Sequence, residues 1–344
     1  MSQSLGGRGI VPPFVSVVMP TRNEHGTIEA ALRAVLEQDY PSDRCEVIIA
    51  DGMSDDGTRD VINALMESAA SDTPHVTVIA NASRTAPAGL NAALDRAKGD
   101  VIVRIDGHCE IQPDYLSRCV RLLDTTGAAN VGGALVGSGD GLRQRAFTRA
   151  SGSPFGVGNA RFRYASREGW VDTVYLGAWR REIFERVGRF DEELVRNQDD
   201  EHNFRIVQTG GRIWFDPELQ TRCEVRSDFR SLWRQYFDYG FYKVRVIQKR
   251  RGVASLRQIV PALFVVALVS TVVIGSVTRR PKVILGVVAP YGALNALAAL
   301  HASRDDPEAL VLVPGAFLAL HLAYGSGFLA GICRWRRISL STSS

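Results

Sequence analysis

Four short apolar runs open the chain, and each closes on a polar cluster. They lie in "FVSVVMPTRNE", "CEVIIADGMSDDGT", "HVTVIAN" and "DVIVRID". Between them the spacing predicts helices over 27–38, 59–70 and 86–98. Short, continuously apolar strands alternating with helices predict an α/β fold, a mostly parallel sheet covered on both faces. In such sheets ligands sit at the carboxyl ends of the strands. The polar clusters fall there, at 21–24, 51–56, 81–84 and 106–108. In "VIVRIDGHCEI" a turn alone would need only the Asp-Gly pair, so Asp106 and His108 ask what they hold.

The second half reads differently. Residues 132–170 are rich in Gly, Ser, Arg and aromatics, which predicts a substrate-binding region rather than a plain connection. A strand and a helix follow, and then "NQDDEHNFRI", whose three acids open another helix. Helix-dipole stabilisation accounts for one or two of those acids and gives no special role to Asp199. Residues 227–252 combine aromatics at helical spacing with seven basic residues, which predicts an interfacial helix lying against anionic headgroups.

Beyond it three segments, about 259–278, 283–300 and 309–333, hold no charged side chain. The first and third can each cross a hydrocarbon core of ~30 Å as a helix. The second carries Pro290 and Asn295. Three in series without amphipathic faces predict membrane segments rather than buried core helices. The chain thus divides into a domain over 1–225, a basic aromatic segment over 226–257 and a membrane region over 258–344 with two or three membrane segments. Three full spans would put the basic tail on the far side. A first segment that dips in and returns would keep the tail inside and turn "HASRDDPE" outward, in better agreement with the positive-inside bias.

Composition adds exclusions. The 344 residues carry a formal charge of +4, too little to argue for nucleic acid. The apolar run at 14–19 is too short for a signal peptide, which places the N-terminal domain in the cytoplasm, on a plasma or inner membrane. The five cysteines have no close pairing or zinc-like spacing and read as free thiols of a reducing compartment. No G-x-G-x-x-G follows the first strand, and no P-loop motif is present.

The segments "MPTRNE", "ADGMSDDGT", "RIDGHCEI" and "NQDDEHNFR", in this order, resemble those of family 2 glycosyltransferases with the GT-A fold. The resemblance covers roughly residues 15–245. It is strongest to the succinoglycan-type exopolysaccharide glucosyltransferases, which share Asp-x-His where most relatives have Asp-x-Asp, and a "QYF-x-YG" element like 235–240 here. It implies a nucleotide-sugar donor, usually UDP-linked. Pro20, Thr21, Asn23 and Glu24 match the segment lining the base, and Asp51 the acid contacting uracil. Asp55 matches a donor-site acid, and Arg84 a diphosphate or sugar contact. Asp106 matches the first acid of the metal motif, and Asp199 the general base. Gln198 stands where relatives usually carry Glu.

These residue types suit the chemistry. A divalent metal, Mn²⁺ or Mg²⁺, stabilises the leaving diphosphate. The sugar hydroxyl needs a carboxylate base, and in-line attack inverts the anomeric centre. His108 is a second metal ligand, a partner of the diphosphate or a turn residue; imidazole suits Mn²⁺ better than Mg²⁺. The expected activity is an inverting, membrane-anchored transfer of a hexose such as glucose to a lipid-linked saccharide, for cell-surface polysaccharide. The alternative is a degenerate sugar-nucleotide-binding subunit of a membrane assembly. A transporter would need more ionisable residues in the spans than His301 and His321, and a processive synthase would need Q-x-x-R-W and more spans.

Overall fold

The computed structural model describes residues 11–158, 160–252 and 258–341, with side chains through Trp335. The N-terminal ten residues and the junction at 253–257 lie outside the described residues. The first half follows the predicted alternation: β1 (Val15–Thr21), α1 (Ile28–Leu36), β2 (Cys45–Asp51), α2 (Thr58–Ser68), β3 (His75–Ala80), α3 (Ala86–Arg96), β4 (Val101–Arg104). Strands β1, β2 and β4 are buried on both faces, and β1 pairs in parallel with β2 and β4. Their side chains alternate between two cores. Val15, Val17 and Met19 face the core that holds Ile28, Leu32 and Leu116. Val18, Ile48 and Ile102 face the core that holds Leu90, Trp179 and Ile206.

The middle of the chain continues as β5 (Cys109–Ile111), α4 (Tyr115–Thr126), β6 (Asn130–Ser138), α5 (Leu142–Ser151), α6 (Pro154–Val157), β7 (Gly169–Val171), β8 (Tyr175–Arg180), α7 (Arg181–Val187), α8 (Gln198–Gln208) and β9 (Ile213–Glu224). All nine strands form one sheet, ordered β3-β2-β1-β4-β8-β6-β9-β5, with β7 on β9. Parallel pairing on the β1 side gives way to mixed pairing beyond β4, where β8 runs antiparallel to both β4 and β6. Region 132–170 is thus partly regular, with most of β6 and all of α5 inside it. Its Gly-rich strand passes so close to β9 that a side chain at Gly133 would meet the Leu219 backbone.

The five cysteines do not all stay free. In the antiparallel β5–β9 pair Cys109 lies directly opposite Cys223, and the two form a disulfide. Residues 114 apart in sequence meet through sheet register, which spacing along the chain does not encode. Cys45, Cys119 and Cys333 are the free thiols.

Four helices complete the chain: α9 (Phe229–Arg250), α10 (Val260–Val277), α11 (Leu285–Ala302) and α12 (Val313–Ser341). Helix α9 turns part of its positive charge toward the sheet domain. Its Lys243, Arg245 and Lys249 pair with Asp200, Glu193 and Asp191 of the sheet domain, and Arg250 pairs with Glu201. Four of the seven cations meet neighbouring acids, whereas Arg230, Arg234 and Arg251 are exposed and have no ion pair among the described residues.

The other side of α9 carries α12. A Cβ at Gly240 would collide with the Tyr324 carbonyl, and one at Gly327 with the Phe237 carbonyl, so glycine on both helices permits the close approach. The seam runs on to Trp335, whose Nε1 donates to the Phe241 carbonyl at 3.2 Å. Three helices are long and apolar enough to cross a membrane, but the third is 44% buried against 11% for each of the first two. The acidic connection before α12 also docks on the sheet domain: Arg145 pairs with Asp306 and Glu308, and Arg149 with Asp305. The segment that charge counting turned away from the sheet domain is tied to it.

Candidate active site

One cavity of about 1360 Å³ collects the carboxyl ends of β1 and β4, the start of α8, the middle of α9 and parts of α10 to α12. Pro20, Thr21, Asn23, Glu24, Arg84, Asp106, His108 and Asp199 all line it. Asp51 and Asp55 do not. The Asp51 carboxylate has no exposed surface; Arg59 Nε reaches it at 2.8 Å and Ser54 Oγ at 2.6 Å. Asp55 is held by Asn23, whose Nδ2 donates to it at 2.9 Å while its Oδ1 accepts from the Asp55 N–H at 3.1 Å. The two acids shape the loops after β1 and β2 instead of facing the cavity.

Asp106 sits at the end of β4 in a buried ion pair. Arg104 Nε and Nη2 donate to its two oxygens at 2.8 and 3.0 Å, and Tyr175 Oη donates at 3.0 Å. Burial opposes its charge, but Arg104 outweighs that and holds the carboxyl below its ordinary range. His108 Nδ1 lies 3.0 Å from Glu24 Oε1. Burial works against the imidazolium, yet the Glu24 hydrogen bond and charge, with Asp106, raise the His108 pKa. Burial likewise raises that of Glu24. Gly107 is tightly enclosed, since a Cβ there would push Glu24 Oε2 aside and crowd Thr21 Oγ1. Three buried polar atoms, Thr21 Oγ1, Glu24 Oε2 and Arg104 Nη1, have no hydrogen-bond partner among the described residues. All three belong to residues lining the cavity.

The three acids that open α8 have separate fates. Glu201 is fully buried and clamped by Arg205 at 2.9–3.2 Å. Asp200 takes Lys243 Nζ at 2.6 Å. Asp199 faces the cavity and, among the described residues, accepts only the Asp200 N–H, at 2.8 Å. Burial raises its pKa, with Arg104 the main influence pulling it back. The other cavity-lining carboxylates have side-chain partners: Glu24 with His108, Asp106 with Arg104, Asp200 with Lys243 and Glu224 with Gln144.

Residues 16–188, half of the chain, match the sequence profile described as Glycosyl transferase family 2. The chain belongs to this family. It is 31% identical to the succinoglycan biosynthesis protein ExoA of Rhizobium meliloti (strain 1021) over 327 residues, 93% of this chain and 96% of the relative. It is 25% identical over 268 residues to a dolichyl N-acetyl-alpha-D-glucosaminyl phosphate 3-beta-D-2,3-diacetamido-2,3-dideoxy-beta-D-glucuronosyltransferase of Methanococcus voltae, covering 76% of this chain and 82% of that one. Among solved structures, the mannosyltransferase PcManGT of Pyrobaculum calidifontis, in complex with GDP-Man and Mn²⁺, superposes with a TM-score of 0.59 at 21% identity, over 94% of this chain and 88% of that one. The GT-A fold of this family 2 glycosyltransferase is that of its structural neighbour, and its relatives act in polysaccharide and lipid-linked sugar synthesis.

Sequence reasoning missed Arg104, Tyr175 and Lys243. Arg104 left a signal: a charge inside an apolar strand must find a buried partner. Tyr175 and Lys243 reach the site through β8 and α9, and nothing local in the sequence marks them.

Proposed function

We propose that this glycosyltransferase is membrane-anchored and inverting, and that it moves a hexose such as glucose from a UDP-linked donor to a lipid-linked saccharide in cell-surface polysaccharide synthesis. The observation that carries the reading is Asp199, the one cavity-lining carboxylate with no side-chain partner among the described residues. A general base must have its lone pairs free for the incoming hydroxyl. A single such carboxylate supports direct attack by the acceptor, and hence inversion, over a covalent intermediate.

Asp106 and His108 are the residues that would hold a divalent cation. Three hydrogen bonds already reach the Asp106 carboxylate, and His108 keeps Nε2 free. Among the described residues no three His, Cys, Asp or Glu converge as a metal site. This donor set fits a cation that arrives with the nucleotide, in keeping with the Mn²⁺ beside GDP-Man in the Pyrobaculum neighbour. Such a cation would neutralise charge on the departing diphosphate. On the protein side, Arg84 and the free Nη1 of Arg104 are positioned to meet diphosphate oxygens, since both residues line the cavity and neither atom set is spent elsewhere. A lipid-linked acceptor agrees with the dolichyl phosphate in the Methanococcus relative's name and with apolar helices lining the same cavity.

The test offers membranes containing the protein a panel of radiolabelled UDP-sugars with lipid extract and counts the lipid phase. Asp199→Asn should lower the count roughly 10²–10⁴-fold while UDP affinity stays intact. Near-normal turnover in that variant would remove Asp199 as the base.

A further inference from the structure

Strand β8 breaks step beside the cavity. Where β6 runs from Val131 to Gly133, the partner positions on β8 run from Ala178 to Tyr175, so β8 holds one extra residue. Such a bulge re-aims the side chain next to it. Leu176 is fully buried there, yet its backbone is left-handed, with φ at +59°, and Gly177 follows at +123°. A left-handed leucine is disfavoured, so something at this place must gain from it. The two cores show what is gained. Leu176 and Ala178 pack in the core of Val17 and Met19, and Trp179 packs in the other. Strict alternation back from Ala178 would put Tyr175 on the Trp179 side and Val174 on the Leu176 side. Instead Val174 packs with Trp179 and Tyr175 with Leu176. The bulge turns the Tyr175 ring over, and the hydroxyl then reaches Asp106.

We propose that Tyr175 is a positioning residue of the donor site: its hydroxyl holds the Asp106 carboxylate in place, and the Cys109–Cys223 disulfide holds the hydroxyl. This assignment rests on the reading of Asp106 as a donor-side carboxylate and adds what fixes it.

Three observations support it. First, Arg104 stands two residues before Asp106 on the same strand, so that ion pair can shift as a unit. Among the described residues, Tyr175 alone hydrogen-bonds the Asp106 side chain from another strand, at 3.0 Å. Second, Tyr175 Oη lies 3.7 Å from Cys109 Sγ and 4.0 Å from Cys223 Sγ. A disulfide has no S–H to give, and a carboxylate is the stronger acceptor, so the one phenol hydrogen goes to Asp106. The hydroxyl is seated between that carboxylate and a covalent crosslink. Third, the crosslink closes on the same turn. The Cys109 N–H donates to the Asp106 carbonyl at 3.0 Å, and Cys223 lines the cavity together with Asp106 and Tyr175.

The experiment measures UDP affinity, with Mn²⁺ present, on the full chain and on Tyr175→Phe, Asp106→Asn and the double variant. The Phe162 ring lies nearly parallel to that of Tyr175, with centroids 6.3 Å apart, and Tyr175→Phe keeps this packing while removing the hydroxyl. It should bind UDP about tenfold more weakly. In the Asp106→Asn background the same change should matter less than about twofold, since nothing is left to position. An undiminished loss there would mean that Tyr175 meets the donor directly and would overturn the proposal. Weakening by Asp106→Asn with none by Tyr175→Phe would refute the role of Tyr175 alone. Unchanged affinity in Asp106→Asn would refute the donor-side reading of Asp106 and the proposal with it.

Dithiothreitol acting on the folded parent gives a second measurement that needs no variant. It supplies two electrons and two protons, ends as its cyclic disulfide and leaves Cys109 and Cys223 as thiols, which alkylation counts. Two thiols cannot stay as close as a bonded pair, so the sulfurs part beside the hydroxyl. UDP affinity should fall in the parent and stay unchanged in Tyr175→Phe. No fall in the parent, or equal falls in both, would show that the crosslink does not act through Tyr175 and would overturn the proposal.

Discussion

Replacing Arg104 by methionine should cost about as much as any single change in this protein. The Arg104 side chain is 4% exposed and that of Asp106 is 10% exposed, and two hydrogen bonds join them. Arg104→Met leaves a buried carboxylate with only the Tyr175 hydroxyl, a loss of about 3–5 kcal/mol for a broken buried pair. Asp106→Asn leaves the guanidinium unmatched and should cost a similar amount. The double variant removes both charges, so it should recover about 2–3 kcal/mol against the sum of the singles. A chain of this length carries roughly 0.7 kcal/mol/K of unfolding entropy. Each single variant should therefore melt roughly 4–7 °C below the parent, and the double roughly 3–4 °C above the level that the two losses added together would give. Thermal unfolding followed by the fluorescence of the five tryptophans reads this directly. UDP affinity measured on the same proteins separates the roles: both singles and the double should bind UDP more weakly, because Arg104 Nη1 is then lost or displaced. Additivity within about 0.5 kcal/mol would show that the pair does not hold Asp106 in place and would refute the reasoning.

Three further outcomes are expected. Transfer needs ionised Asp199, whose pKa burial raises, so the acid limb of kcat/KM should lie above the ordinary aspartate range; Arg104→Met, by removing the opposing cation, should move that limb higher still, and an unmoved or lowered limb would exclude Asp199 as the titrating base. Alkylation of the denatured protein should count three thiols without reductant and five with it, and reduction should lower the melting temperature, since the crosslink closes a loop of more than a hundred residues; five thiols in the unreduced protein would mean that Cys109 and Cys223 are not joined. A reporter active only on the far side of the membrane, fused after the last residue, should stay silent, because α12 runs along α9 and both α9 and the 303–308 connection dock on the sheet domain; a strong signal would mean a true third span.

The parts of the fold that sequence reveals are those set by local pattern. Val15, Val17 and Met19 are apolar together because β1 is covered on both faces, and that pattern survives without knowledge of the partners. Asp199 was legible through the run of acids, yet only geometry separates it from Asp200 and Glu201, whose charges Lys243 and Arg205 absorb. The Cys109–Cys223 bond was hidden because register across β5 and β9 depends on the whole sheet. Helix α9 was legible only in part, for a related reason. A basic amphipathic stretch next to apolar segments has the same composition whether its cations meet lipid phosphate or Glu193 and Asp191. Asp51 shows a further limit, since the sequence does not reveal that Arg59 of α2 and Ser54 of the preceding loop both reach its carboxylate.

The glycine seam between α9 and α12 has a mechanical consequence. Lys243 grips Asp200, the neighbour of Asp199, from the same helix whose Phe237 and Gly240 are locked backbone to backbone against α12. Through these contacts a tilt of α12 would be felt at the start of α8, where Asp199 stands, without passing through the sheet.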